Sequence, residues 1–539
     1  MRLSQLLDGL DHVVVRPGDP EICDVVIDSR AVTPGALFIA RTGWYVDGHD
    51  WLDDAVRRGA VAVVVSTEGR APESAQVPVV RVPAEDPFLG LVSARFHGEP
   101  TRSLTVYGVT GTNGKTTVTR LIAFVLARAG LRVGASTTDG IMIGGELVAR
   151  GDMTGPASAR VVLSDTSVDA AVLECARGGI IRRGLGFDWA DTGVITNIRL
   201  DHVGQDGIED LDDLTWIKSL VAERVRSGGT VVLNADDDAA AGLADSAALQ
   251  PGARIVLYSL RPDNARVQRH LAAGGTACFV RDGLLVETGP QGEVRVAAAD
   301  QIPLTLGGTS SYQVSNCLAA IAASRAQGVP GEVIAAALQA FSSNEHNPGR
   351  ANLWHLGQGS LMLDYGHNPD AFRHAAELSA GWNGPVIAIA GVPGDRADSV
   401  IAEAARALAD GFSRLWIKED GDLRGRQRGE VAELIWRTVR ERNHEVDCRI
   451  VLDEVDALEA VLEEVMAGAH AILFFERREP VLEVLRKAGA RPADALPSDH
   501  PEHATGIQGA WQAGSGGKCW SGCRPGHRVT TSRTSAGSR

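Results

Sequence analysis

Gly108-Val109-Thr110-Gly111-Thr112-Asn113-Gly114-Lys115-Thr116-Thr117 is the stretch on which the reading of this chain turns. A buried strand, Leu104–Val109, is predicted to run into it, and a helix reaching Arg128 is predicted to leave it. That is the context a phosphate-binding loop requires. Glycines let backbone N–H groups close around an anion, and a helix N-terminus adds its dipole. Lys115 supplies a mobile positive charge, and Thr116 can ligate magnesium. The spacing departs from the common nucleotide loop, because Val109 stands five residues before Gly114 where a glycine is usual. The bland alternative is a glycine-rich turn with a stray lysine. Strand, turn, Gly-Lys-Thr-Thr and helix in the right order speak against it.

Outward from the loop, short apolar runs alternate with amphipathic stretches. Before it, strands are expected at Val13–Val15, Val25–Ile27, Leu37–Ile39, Val61–Val65 and Val79–Val82, with a helix at Trp51–Arg58. After it, strands are expected at Ala170–Leu173, Thr192–Thr196 and Thr230–Leu233. The alternation resumes with Leu361–Asp364, Val386–Ala390, Arg414–Ile417, Arg449–Leu452 and Ala471–Phe475, with helices such as Asp398–Leu408 and Glu430–Arg440 between. Continuous apolar strands separated by helices predict mostly parallel sheets covered on both faces. The fold class is therefore α/β in three domains. These are a small α/β unit at 1–103, a central phosphate-loop domain at 104–343 and a Rossmann-like domain at 344–497. Residues 498–539 lose apolar periodicity, are rich in Gly, Ser and Arg, and read as a disordered tail.

Composition narrows the function. The 539 residues are 44% hydrophobic and 22% charged, as in ordinary globular proteins, and carry a net charge of -15. That charge disfavours nucleic acid as a partner but not small anions held by a few local cations. No apolar run is long enough to span a bilayer, so no membrane role is expected. Asp8 and Asp11 stand where a signal peptide would need an apolar run. Seven scattered cysteines fit a reducing cytoplasm rather than a disulfide framework. Cys519 and Cys523 form a lone C-x₃-C pair, a weak metal signal.

Further motifs follow the loop in a fixed order. Glu174 ends a buried strand, where a carboxylate can reach a metal beside the loop. Thr196-Asn197-Ile198-Arg199-Leu200-Asp201-His202 follows the next strand, and Asn234-Ala235-Asp236-Asp237 the one after. Asn316 lies in a predicted helix beyond Gly307-Gly308. Asn347-Pro348-Gly349-Arg350, Asp364-Tyr365-Gly366-His367-Asn368-Pro369 and Gly394-Asp395-Arg396 open the last domain. With these residues the chain resembles the Mur ligase family over roughly residues 20–490. The resemblance implies an ATP- and Mg2+-dependent ligase joining a carboxylate to an amine through an acyl phosphate. It implies that Gly111–Thr117, Asn234, Asn316, Arg350, Asp364 and His367 hold ATP. Thr116, Glu174 and His202 would hold magnesium, and Lys115, Glu174, His202 and Lys218 would serve the chemistry. Lys218 lies near the family's carbamylated lysine; a plain surface lysine is the competing reading.

The substrates receive two messages. Asp28-Ser29-Arg30, Pro34–Ala40 and Asp47-Gly48-His49 are similar to the first domain of UDP-N-acetylmuramoyl-tripeptide synthetases, which makes Ser29 and Arg30 candidates for a UDP-linked acid. By contrast, Thr137-Thr138-Asp139-Gly140, Gly151–Pro156, Glu174–Ile180 and Lys418–Arg426 resemble the Mur-ligase half of cyanophycin synthetases. Thr137, Thr138, Asp152 and Arg424 in these stretches are candidate substrate residues; Arg177 and Arg182 could hold an acidic acceptor, and Glu419, Asp420 or Asp422 could read a cationic amine. A solvated charged loop is the plain alternative for 418–426. The expectation is a specialised amide ligase acting on small molecules. Peptidoglycan tripeptide synthesis and a non-catalytic nucleotide-binding paralogue are the alternatives. Substrate identity and oligomeric state stay open.

Overall fold

The computed structural model describes residues 1–41, 47–67, 69, 76–83, 85–96, 98, 104–200 and 206–495. Met1–Pro497 forms one compact unit. Two sequence expectations lie outside the described residues: His202, and the 498–539 tail with Cys519 and Cys523.

Among the described residues the chain forms three sheets, of five, eleven and seven strands. The first runs in spatial order Val13–Arg16, Val79–Val82, Ala60–Ser66, Ala36–Ile39 and Asp24–Val26, parallel except at its Val13–Arg16 edge. Its two faces bury Leu37, Ile39 and Val64 on one side and Phe38, Val63 and Val65 on the other. Covering both faces explains the unbroken apolar runs.

The eleven-stranded sheet holds the phosphate loop. Thr105–Thr110 lies at its centre, parallel to Ala170–Glu174 on one side and Ala190–Ile195 on the other. Val133–Thr137 pairs with the far side of Ala170–Glu174, so the chain skips a strand after the loop. The loop thus sits where strand order reverses, at the carboxyl ends of parallel strands, the place where open α/β sheets bind ligands. Val225–Asn234, Arg254–Ser259 and Thr276–Arg281 continue the parallel part. Antiparallel hairpins close both edges: Gly140–Ile143 with Glu146–Arg150, and Leu284–Gly289 with Gly292–Ala298. These hairpins were not foreseen.

In the third sheet, Gly359–Asp364, His470–Phe474, Val386–Ala390, Arg414–Ile417 and Asp447–Ile450 are parallel. Asn352–Leu356 and Arg491–Ala493 add an antiparallel edge. The expected Arg449–Leu452 strand lies two residues earlier than read. Only one residue of Asp447–Ile450 is even half-buried, so its hydrophobic pattern is faint. The three-domain α/β class stands.

Candidate active site

The phosphate loop is shaped by its glycines. Gly111 and Gly114 have φ of +153° and +85°, and a Cβ on Gly114 would come within 2.5 Å of Asn316 Oδ1. Gly114 caps the helix Lys115–Arg128. A second loop braces the first. Asn197 Oδ1 accepts the Asn113 N–H at 2.9 Å, and Thr196 Oγ1 donates to the Asn113 carbonyl at 2.6 Å. Lys115 Nζ folds back onto the Thr112 and Gly111 carbonyls at 2.9 and 3.1 Å. Lys218, buried in the helix Leu211–Glu223, donates to the same Gly111 carbonyl at 3.1 Å. Both ammonium groups therefore sit at the place where loop carbonyls and an incoming anion would compete for them.

Glu174 is only 2% exposed, yet it collects hydroxyls rather than a cation. Thr116 Oγ1 and Thr138 Oγ1 donate to its Oε1 at 3.1 and 3.0 Å, and the Thr138 N–H to its Oε2 at 3.1 Å. One buried carboxylate with two hydroxyl oxygens is a hard-oxygen donor set that suits Mg2+, which takes few protein ligands and completes its shell with phosphate and water. Thr116 and Glu174 are the described residues that would hold it. Among the described residues no group of three or more His, Cys, Asp or Glu side chains forms a metal cage.

The third domain reaches over this point. Arg350 Nη2 donates to Thr116 Oγ1 at 3.4 Å, and its guanidinium lies 4.6 Å from the Tyr365 ring centroid. Asn347 Nδ2 donates to Thr117 Oγ1 at 3.2 Å, and Arg120 Nη1 donates to Asn347 Oδ1 and the Pro348 carbonyl. Asn368 Nδ2 donates to Asn113 Oδ1 at 2.9 Å. Asp364 accepts the Ala351 and Gly366 N–H groups at 2.8 and 2.7 Å. Burial pushes its carboxyl up, against the pull of Arg350. His367 Nδ1 lies 3.0 Å from the Tyr365 carbonyl.

Two adjoining cavities meet at Lys115. One, of about 390 Å³, is lined by Asn113–Thr117, Thr138, Glu174, Arg350, Asp364, His367 and Asp420. The other, of about 530 Å³, is lined by Gly111, Arg177, Arg182, Arg183 and Lys218. Thr112, Lys115, Asp152 and Arg424 belong to both walls. In the second, two lining residues share a partner: Asp206 bridges Arg177 Nη1 and Arg182 Nη2, each at 3.0 Å. The Arg182 hydrogen bond, against some burial, holds the Asp206 carboxyl below its ordinary range.

The structure brings most of the expected residues to these cavities, but not all. Glu419 lies away from them: it is 4% exposed and its carboxylate accepts the Gly429, Val431 and Ala432 N–H groups at the start of the helix Glu430–Arg442. It lines neither cavity. Nor does Thr137 line either cavity; its buried hydroxyl donates to the Gly140 carbonyl. Asn234 is spent on the Thr196 carbonyl and the Asp236 N–H, and Asn316 on Gln313, so both brace the loop from behind. Ser29 is buried in the first domain, and Arg30 pairs with Asp28 at 2.8 Å; neither lines the two cavities. Tyr312, His374, Arg396 and Lys418 were missed and line the first cavity. Tyr312 stacks on His374 at 5.1 Å, and Lys418 is held by Asp420 and Glu454 at 3.1 and 2.9 Å. Arg396 stood in the quoted Gly-Asp-Arg motif; the Tyr312–His374 pair had no signal, because its members are brought together only by folding.

Comparison with known proteins agrees with this architecture. Family models match residues 21–97 (Mur ligase family, catalytic domain), 109–324 (Mur ligase middle domain) and 349–475 (Mur ligase, glutamate ligase domain). The UDP-N-acetylmuramoyl-L-alanyl-D-glutamate–2,6-diaminopimelate ligase of Bacillus velezensis is 31% identical over 433 residues, 76% of this chain and 82% of that protein. The chain belongs to the Mur ligase family. Within this family, cyanophycin synthetase of Synechocystis sp. is 38% identical over 390 residues, covering 72% of this chain and 44% of that protein. The chain thus matches less than half the length of that relative. Among solved Mur ligase structures, a UDP-N-acetylmuramoyl-L-alanyl-D-glutamate–2,6-diaminopimelate ligase superposes with TM-score 0.58 at 22% identity, covering 87% of this chain and 94% of that one. A bifunctional folylpolyglutamate synthase/dihydrofolate synthase with Mn, AMPPNP and L-glutamate bound gives 0.54 at 22% identity, covering 74% and 93%.

Proposed function

We propose that this Mur ligase is an ATP-dependent carbon–nitrogen ligase of the cyanophycin-synthetase-like kind, acting on a small anionic carboxylate and an amine in the cytoplasm. The observation that carries the reading is the convergence of Lys115, Thr116 and Glu174 with Arg350, Asp364 and His367 around one cavity. A carboxylate is a poor electrophile. Transfer of ATP's γ-phosphoryl to it gives an acyl phosphate, which a neutral amine then attacks with loss of phosphate. Lys115 and Arg350 offset negative charge during transfer. Thr116 and Glu174 would hold Mg2+, which would supply positive charge against the transferring phosphoryl group. We assign the acid to the arginine-rich cavity, where Arg177 and Arg182 already grip the Asp206 carboxylate as they would a substrate's. The amine approaches from the third-domain side past Asp420 and Arg424. Closure of that domain excludes water, which would otherwise hydrolyse the acyl phosphate. His202 and a carbamylated Lys218 remain part of the proposed site.

The test is an acid-by-amine screen for ADP release, with mass spectrometry of the product. Lys115→Ala should lose about a hundredfold or more of turnover while remaining folded by circular dichroism; retained turnover refutes the site. A second reading, tripeptide synthesis from a UDP-linked muramoyl dipeptide, is favoured by the Bacillus velezensis relative and by the matched first domain. Robust product from that dipeptide with diaminopimelate or lysine would select it. ATP binding without amine-dependent ADP release would instead select a non-catalytic paralogue.

A further inference from the structure

Arg199 is tied to the phosphate loop through its main chain. Its N–H donates to Thr112 Oγ1 at 2.9 Å, and its carbonyl faces the same hydroxyl at 3.2 Å. Any movement of Thr112, which lines both cavities, is therefore passed to Arg199. The side chain points elsewhere, between carboxylates of two domains. Its Nε lies 3.4 Å from Asp237 Oδ2 in the central domain and 4.0 Å from Asp370 Oδ2 in the third.

The two carboxylates differ in kind. Asp237 has 1% of its side chain exposed; its Oδ1 accepts the Ala240 N–H, and its Oδ2 faces the Arg199 guanidinium. Burial pushes the Asp237 carboxyl up, and the Ala240 N–H, Arg199 and the Ile198 N–H pull against it. Asp370 is more open and also pairs with Arg373 at 2.7 Å. It sits in the first turn of the helix Pro369–Ser379, whose capping residue Asn368 is hydrogen-bonded to Asn113 of the phosphate loop. The start of this one helix is thus held to the loop at two points, by amide pairing at Asn113 and by charge at Arg199. Arg199 is 51% exposed, and a half-exposed pair at 4.0 Å adds little to stability. Its value lies in placement.

We propose that Arg199 is a positioning residue that couples the filled phosphate loop to docking of the third domain, through Asp370. This rests on the reading that the loop binds ATP. Asp237 anchors the guanidinium on the central domain, Thr112 moves its backbone with the loop, and Asp370 is the charge it captures or releases. The motion sets how closely Asp364 and His367, on the same strand-to-helix turn as Asp370, approach the nucleotide.

The experiment uses the full chain, with Mg·ATP as probe. Calorimetry gives nucleotide affinity, and hydrogen exchange follows residues 364–371 with and without Mg·ATP. In the wild type, Mg·ATP should slow exchange there. Asp370→Asn leaves the Arg199–Asp237 pair intact and should bind Mg·ATP within about twofold of wild type while losing most of that slowing. Arg199→Gln should do the same if it folds; Asp370→Asn decides if it does not. Arg373→Ala, which removes the other partner of Asp370, should leave the slowing unchanged. A wild type that does not bind Mg·ATP refutes the nucleotide reading itself. A wild type that binds without slowing, an Asp370→Asn variant that keeps the slowing, or one that loses most of its Mg·ATP affinity, overturns the coupling.

Discussion

Asp364 shows how a single side chain can serve both scaffold and site. Its two oxygens satisfy the backbone amides of Ala351 and Gly366 beside the cavity. Asp364→Ala would orphan both N–H groups, a cost of about 1–3 kcal/mol each when buried. A fall in Tm of several degrees with loss of turnover is expected, measured by calorimetry; Asp364→Asn should recover part of the stability. Asp206 gives a pH-dependent counterpart. Its folded carboxyl is held below the ordinary value of 3.8 by Arg182, so its contribution is full above that pH and is lost as pH falls through the lower folded value. Asp206→Asn should flatten that part of the Tm-against-pH curve and leave the region above pH 6 nearly parallel to wild type. Cys175 is fully buried and its thiol is pushed up to about 12 by burial. It should resist alkylation at pH 8 in the native protein and label rapidly in urea, read by mass spectrometry.

At the scale of elements, helix starts organise the site. The helix Lys115–Arg128 begins with the phosphate loop, and the helix Pro369–Ser379 begins with Asn368 facing that loop. The helix Glu430–Arg442 begins instead on Glu419. Glu419→Ala should destabilise the third domain by about 2 kcal/mol through the lost cap, with Mg·ATP affinity unchanged, as urea melts and calorimetry would show. An altered amine preference without loss of stability would restore the specificity role first expected of it. The sequence of 418–426 is charged enough to read as a recognition loop. What it does not display is which carboxylate a following helix will claim.

For the whole molecule, the eleven- and seven-stranded sheets meet around one pair of cavities, and bridging contacts such as Asn347–Thr117 and Arg120–Pro348 hold the third domain over the second. Met1–Pro497 is the compact unit. A chain cut after Pro497 is therefore expected to keep its Tm within about 2 °C, and differential scanning fluorimetry checks it. No helix among the described residues is long and apolar enough to cross a membrane.

The sequence by itself determined the parallel α/β class, the phosphate loop and the order of the motifs behind it. These are written in local terms: apolar runs long enough for buried strands, glycines where the backbone must turn, and Lys-Thr-Thr opening a helix. The antiparallel hairpins escaped because charged, exposed stretches such as Glu146–Arg150 and Gly292–Arg295 break up their apolar pattern. Only the tertiary structure decided which carboxylates and hydroxyls face the cavities. Glu174, Thr116 and Thr138 are far apart in sequence and become one oxygen cluster through strand order. Glu419 and Asp420 are neighbours in sequence, yet one caps a helix while the other lines the cavity. Adjacent residues leave a loop in different directions, and burial then assigns each polar group to whatever partner lies within reach.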